Sequence, residues 1–413
     1  MTASGPDRKP SVCLLIGTFH PVVGGGETHA RMLGRALIER GVAVQVVTRL
    51  TDARLPRLDT VDGITVHRVG NPGSPRWGKY RMLIPALLAL YRLRRTYDVL
   101  YVCGLRVLGV TGLAAAHWTG KRCILRAEAM GEMSGAFIWD SPHAKLGGMR
   151  RCLAQWLVRL RNRWYRRADC FLAVSGAVEQ EFVSAGVTPD RLVRINNGID
   201  VRRFSPEESP DARRALRRTL GLPEHDCLLA YSGKLNRGKG LEMLVETWSN
   251  LVPRYPGSRL VLIGGGGDHF LSCENELRET VRRKGLDDRI IFTGYVDNVP
   301  DYLRAMDGYV FPSEQESFAL APLEAMATGL PVIVTRTGEL GLIVQPGVHG
   351  WLMEPQNPAA LQAAMEAFLA DPSGARVMGT SGRARVVEHC GLDAVAARHE
   401  ALFRRLMETG RPV

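Results

Sequence analysis

The chain predicts an α/β protein built from two doubly wound, parallel-sheet domains, and three observations carry that prediction. Its 413 residues exceed what one hydrophobic core usually serves. Short apolar runs alternate with helical periodicity from the N-terminus onward. The same rhythm restarts after a Gly/Pro-bearing connection near residues 190–206. With 45% hydrophobic and 23% charged residues, the composition excludes a disordered or fibrous chain.

The first strand is an uninterrupted apolar run, Val12-Cys13-Leu14-Leu15-Ile16, of the kind a parallel sheet buries on both faces. A Gly-rich loop, Val22-Val23-Gly24-Gly25-Gly26, precedes a helical pattern over residues 27–40, which Gly41 stops. Residues 42–47 form the next strand, and further strands are expected at 65–69, 99–103, 123–126 and 171–174. In the second half they are expected at 228–232, 259–263, 290–292, 308–311 and 332–334. The pattern predicts one domain over residues 1–195 and a second over 196–385. A C-terminal helix, residues 386–413, is expected to pack back onto the first. Ligands of doubly wound sheets sit at the carboxyl ends of the strands, so both domains are expected to face a central cleft.

Charge divides the two halves. Residues 1–195 hold 29 Lys+Arg against 14 Asp+Glu, whereas the remainder holds 25 against 28. The basic excess peaks in the segment 145–167, from Lys145 through Arg150, Arg151, Arg159, Arg161 and Arg163 to Arg166 and Arg167. Trp156, Leu157, Leu160 and Trp164 interleave with the arginines. Such a segment reads either as a basic amphipathic helix resting on an anionic membrane surface, or as a solvated helix with its apolar stripe inward. No nucleic-acid motif accompanies the charge, so no nucleic-acid partner is expected. The eight cysteines are scattered without a C-x-x-C pair, which points to a reducing compartment rather than a zinc or disulfide framework. Residues 1–10 lack the apolar core of a signal peptide, and the longest apolar stretch, 82–91, is too short to span a bilayer. The expected location is cytoplasmic, with a possible peripheral site on the inner membrane face.

The chemistry concentrates after the strand at 308–311. Pro312-Ser313-Glu314-Gln315-Glu316-Ser317-Phe318-Ala319-Leu320-Ala321-Pro322-Leu323-Glu324 runs from a strand end into a helix. Backbone N–H groups of Ala319, Leu320 and Ala321 are expected to face a diphosphate at the helix N-terminus. Glu324, placed in the first turn, suits ribose hydroxyls, and Glu316 suits hydroxyls on a sugar. Upstream, Gly233-Lys234-Leu235-Asn236-Arg237-Gly238-Lys239-Gly240 sets two lysines on a Gly-bearing turn, able to stabilise a leaving diphosphate. Gly264-Gly265-Gly266-Gly267-Asp268 is a further glycine loop after a strand, and Gly25 and Gly26 let backbone approach phosphates.

These stretches resemble the GT-B retaining glycosyltransferases of family 4, also called group 1. Glu316 and Glu324 match the two glutamates of that family's E-x7-E signature, with seven residues between them. Residues 318–332 resemble its continuation, with Ala319 where a glycine is common. Lys234 stands for the usual arginine of a G-R-L-x-x-x-K-G loop, and Lys239 keeps the lysine. The resemblance implies a GT-B fold of two Rossmann-like domains and transfer of a hexosyl group from a UDP- or GDP-sugar to a hydroxyl acceptor, with retention. It implies catalytic roles for Glu316, Lys239 and Lys234, and donor contacts from Gly25, Gly26, Gly233, Gly265, Phe318, Ala319, Leu320 and Glu324; Glu128 is a further catalytic candidate where the chain departs from the family. No Asp-x-Asp pair occurs, so neither a metal nor another cofactor is expected.

Two departures leave the acceptor side open. A histidine common in the family is absent from Ile124-Leu125-Arg126-Ala127-Glu128-Ala129-Met130-Gly131-Glu132; either Glu128 or Glu132 binds sugar or acceptor hydroxyls in its place, or Arg126, Glu128 and Glu132 form a satisfied loop network. A later motif is altered at Thr337-Gly338-Glu339-Leu340. The acceptor is expected to be a saccharide, lipid-linked or small-molecule hydroxyl, first of all in surface polysaccharide or glycolipid assembly. Two rival readings stand beside transfer: a nucleotide-sugar epimerase of the same fold, and a sugar-nucleotide-binding module without catalysis.

Overall fold

A computed structural model describes residues 8–22, 24–72, 80–136, 148–267, 271–316 and 318–412. The chain forms two units, residues 1–198 with 392–413, and residues 199–391.

Unit 1 is built on an eight-stranded sheet in the order β3-β4-β2-β1-β5-β6-β7-β8. The strands are β1 (Ser11–Ile16), β2 (Ala43–Arg49), β3 (Leu58–Val61), β4 (Ile64–Val69), β5 (Val99–Cys103), β6 (Arg122–Arg126), β7 (Cys170–Ala173) and β8 (Leu192–Arg194). All neighbours are parallel except β3 and β4. Val12 of β1 lies between Val44 and Val99, so the apolar run read from sequence is the buried centre of the sheet. The edge strand β3 was not among the expected strands. Its four residues turn back through Asp62-Gly63, both at positive φ, a pair that by itself signals a two-residue hairpin.

Unit 2 is built on a wholly parallel six-stranded sheet, β11-β10-β9-β12-β13-β14. Its strands are β9 (Cys227–Ser232), β10 (Ser258–Ile263), β11 (Ile290–Gly294), β12 (Gly308–Phe311), β13 (Val332–Thr335) and β14 (Gly350–Met353). β9, β10 and β12 adjoin one another, so the loops that leave their carboxyl ends are neighbours.

The C-terminal boundary differs from expectation. Residues 386–390 belong to the helix Pro372–Cys390, which stays with unit 2. The chain breaks helix at Gly391, and only the helix Leu392–Thr409 joins unit 1. Val395, Phe403 and Leu406 of that helix enter the unit 1 core, and His399 Nε2 lies 3.1 Å from the Tyr101 hydroxyl. Likewise Gly25 and Gly26 are not loop residues. They open the helix Gly25–Glu39, with Gly24 as its extended cap.

Candidate active site

The loops after β9, β10 and β12 pack backbone against backbone. A side chain on Gly240 would run into the Pro312 carbonyl, and one on Gly264 into the Gly233 carbonyl. Both glycines also hold positive φ, which other residues rarely adopt. These contacts set Lys239 against Glu316. Lys239 Nζ donates to Glu316 Oε1 at 2.5 Å, and Ser313 Oγ donates to the same oxygen at 2.8 Å. Nζ also sits 5.7 Å from the centre of the Phe311 ring. Two residues placed separately from sequence are thus one charge-assisted pair, and Ser313, which orients it, was missed. Lys234 is exposed on the same loop. Gly265 lies beside Glu274, whose Oε2 accepts the Gly266 N–H at 2.7 Å.

The helix after β12 spans Leu320–Ala327. Ala319 caps it at φ 65° and ψ 81°, in the left-handed region. The glycine common at this place in the family therefore has a backbone reason, and alanine holds the conformation under strain. Phe318 is buried in the unit 2 core, so its ring packs the loop, and only its backbone is available to a ligand. Leu320 is half-buried at the first helical position. Glu324 falls at the start of the second turn rather than within the first. No side chain or backbone group among the described residues hydrogen-bonds its carboxylate. Burial pushes that carboxyl up to about 7, opposed only by the charge of Arg203.

In unit 1, Gly26 makes room for Glu128, since a Cβ there would lie 2.8 Å from Glu128 Oε1. Gly25 faces open space. Arg126 is buried beneath them, donating to Asn197 Oδ1 at 2.7 Å and to Glu128 Oε1 at 3.4 Å. Burial raises the Glu128 carboxyl, Arg126 opposes this, and neighbouring Glu27 adds to it. Glu27 itself accepts from the Thr18 hydroxyl. Glu132 has a different task. Its Oε2 accepts the Leu105 N–H at 2.6 Å, satisfying the first turn of the helix Leu105–Thr119. Glu181 fixes the same loop by accepting from Gly131, Met133 and Ser134 backbone N–H groups. Of the two glutamates offered for the absent histidine, Glu128 keeps 31% of its side chain exposed and Glu132 only 4%. Glu128 is the one open to a ligand.

The basic segment resolves into the helix Gly148–Tyr165. Met149, Leu153, Trp156, Leu157 and Leu160 are each more than half exposed and fall within one quadrant or so of the helix, while Val158 and Tyr165 face the core. The alternative with the apolar stripe turned inward holds only for Trp164, which packs against the unit 1 core; Trp156, Leu157 and Leu160 face outward. Lys145, Val23, Asp268 and Ser317 lie outside the described residues. Among the described residues no helix is long and apolar enough to cross a membrane.

Two doubly wound units of this kind define the GT-B class. Residues 23–203 match the model of the Glycosyltransferase Family 4, and residues 226–371 that of the Glycosyl transferases group 1. The chain belongs to this family and is a glycosyltransferase. It is 33% identical to the lipopolysaccharide core biosynthesis mannosyltransferase LpsB of Rhizobium meliloti, over 58% of this chain and 67% of that protein. It is 28% identical to a D-inositol 3-phosphate glycosyltransferase of Kribbella flavida, over 94% and 92%. Among solved structures, a sucrose-phosphate synthase from Thermosynechococcus elongatus superposes with a TM-score of 0.78 at 25% identity, covering 96% of this chain and 99% of that one.

Proposed function

We propose that the protein transfers a glycosyl group from a UDP- or GDP-sugar bound on unit 2 to an acceptor hydroxyl bound on unit 1, with retention at the anomeric carbon. The observation that carries this reading is the Lys239–Glu316 pair on loops that adjoin the helix opened by Ala319 and Leu320. A lysine ammonium has three donors, and only one is engaged by Glu316. The other two serve a diphosphate oxygen, together with the helix N-terminus and Lys234. Glu316, held by Lys239 and Ser313, accepts from sugar hydroxyls, and Glu324 accepts from ribose. The charge of the leaving diphosphate is met by these groups without a metal ion. No side chain is assigned as a nucleophile. Glu128 receives the acceptor hydroxyl.

Lys239→Ala and Glu316→Gln should each lower turnover of UDP-glucose or GDP-mannose, measured as release of the nucleotide, at least 100-fold. EDTA should leave the rate unchanged. Undiminished turnover in both variants would falsify the assignment.

The acceptor belongs, on this reading, to surface polysaccharide or glycolipid assembly at an anionic membrane face. The exposed stripe Met149, Leu153, Trp156, Leu157 and Leu160, flanked by Arg150, Arg159 and Arg163, supports it. The protein should float with vesicles containing phosphatidylglycerol, and Trp156→Glu with Leu160→Glu should abolish flotation. Equal recovery of the double variant would remove the membrane from the reading.

A further inference from the structure

Unit 1 contains a cavity of about 1050 Å³ beside Glu128, and its walls are of two kinds. Thr18, Glu27 and Glu128 line one part, where β1 and β6 end. The rest is walled by three helices or their first residues: Met82 and Leu83, then Val107 and Val110, then Leu157. Two arginines reach this wall, and both are already engaged. Arg161 donates to the Glu132 and Met133 carbonyls at 2.8 Å, and Arg106 lies 3.8 Å from the Glu132 carboxylate.

A saccharide alone would satisfy the carboxylates but leave the three-helix wall facing water. Leu157 also belongs to the exposed stripe of the helix Gly148–Tyr165, so the apolar wall continues out onto that stripe. We propose that the acceptor is an amphiphile whose reacting hydroxyl sits at Glu27 and Glu128 while an alkyl or isoprenyl chain occupies the apolar part of the same cavity. The hydroxyl that is glycosylated therefore lies on the polar residue joined directly to the chain, not at the far end of a long saccharide. Glu27 becomes a second acceptor-binding carboxylate, held by Thr18. The inference rests on the glycosyl-transfer reading.

The test uses the full chain and methyl, hexyl and octyl β-D-glucopyranosides below their micelle concentrations, without vesicles, by titration calorimetry in the presence of UDP. Apolar burial strengthens binding about fourfold per methylene, so octyl should bind on the order of tenfold tighter than hexyl. Val107→Glu, at a half-buried helical position, should erase that gain, whereas Leu160→Glu on the outer stripe should keep it. A flat series from methyl to octyl would overturn the proposal. So would a gain that survives Val107→Glu but is lost in Leu160→Glu, since the chain would then lie on the surface. UDP titration of the same samples separates the two levels: absent UDP binding sinks the donor assignment, while a flat alkyl series with normal UDP binding sinks only the amphiphile.

Discussion

Glu132 in unit 1 and Glu324 in unit 2 both have carboxyls pushed up to about 7 by burial, and they resolve that burial in opposite ways. Glu132 spends an oxygen on the Leu105 N–H and lies beside Arg106. The Glu324 carboxylate has no hydrogen-bond partner among the described residues, only the charge of Arg203. A half-buried carboxylate without a protein partner keeps its acceptor capacity for a ligand that supplies donors. The contrast separates a glutamate that is used up inside its unit from one whose carboxylate is left unpaired, as the proposed ribose contact requires. Within unit 1 the difference is one of exposure: Glu132 is enclosed, while Glu128 accepts from Arg126 and still keeps part of its side chain open.

Removing the unpaired carboxylate gives the largest effect on binding. Glu324→Gln should weaken UDP binding about 10- to 100-fold, read by calorimetry. It should also stabilise the free protein at alkaline pH. The folded-state carboxyl titrates near 7 against a usual 4.5, so between those values the unfolded chain holds fewer protons than the folded one. The contribution of Glu324 to stability is thus present below pH 4.5 and lost as pH rises through 7. Urea unfolding should show Glu324→Gln more stable than wild type by about 1–3 kcal/mol at pH 8, with the difference gone by pH 4.5. A variant no more stable at pH 8 would mean that the carboxylate is satisfied in the free protein.

The enclosed carboxylate should behave conversely. Glu132→Ala strands the Leu105 N–H and should cost about 1–3 kcal/mol of stability, while UDP binding to unit 2 stays within twofold. Equal loss of UDP affinity in Glu132→Ala and Glu324→Gln would erase the comparison, because both would then act through general destabilisation.

Much of this was legible in the sequence, and the physical reasons divide the rest. Central strands such as β1 and β9 announce themselves because a parallel sheet buries both faces and needs unbroken apolar runs. The edge strand β3 and the short strands β8 and β14 do not, since they are three or four residues long with mixed burial. Glu316, Lys239 and Glu324 could be read because they stand at the positions of motifs in a resembling family, after strand ends and beside a helix start. Thr18 on Glu27 and Glu181 under the loop after β6 could not, since a hydrogen-bond partner from another segment leaves no local pattern, while Ser313 lies only three residues from Glu316 but a loop has no repeat to show which side chains meet. The helix Gly148–Tyr165 is intermediate: its apolar quadrant is visible as periodicity, but which side faces the core depends on what packs against it.

Ala319 tests the donor side where sequence and backbone disagree most directly. Its φ of 65° places a Cβ in the left-handed region, at a cost of about 1–2 kcal/mol that glycine would not carry. Glycine gives back part of this through its freer unfolded chain, so Ala319→Gly should stabilise the protein by a net of about 0.5–1 kcal/mol. No side chain of Ala319 is asked to touch the donor; only its position before the helix N-terminus matters. UDP affinity should therefore be unchanged while the urea midpoint rises. A drop in affinity would show that alanine's stiffness holds the N–H groups of Leu320 and Ala321 toward the phosphates. The strain would then be part of the donor site, and the unit 2 loop would owe its geometry to a restrained backbone as well as to the Lys239–Glu316 pair.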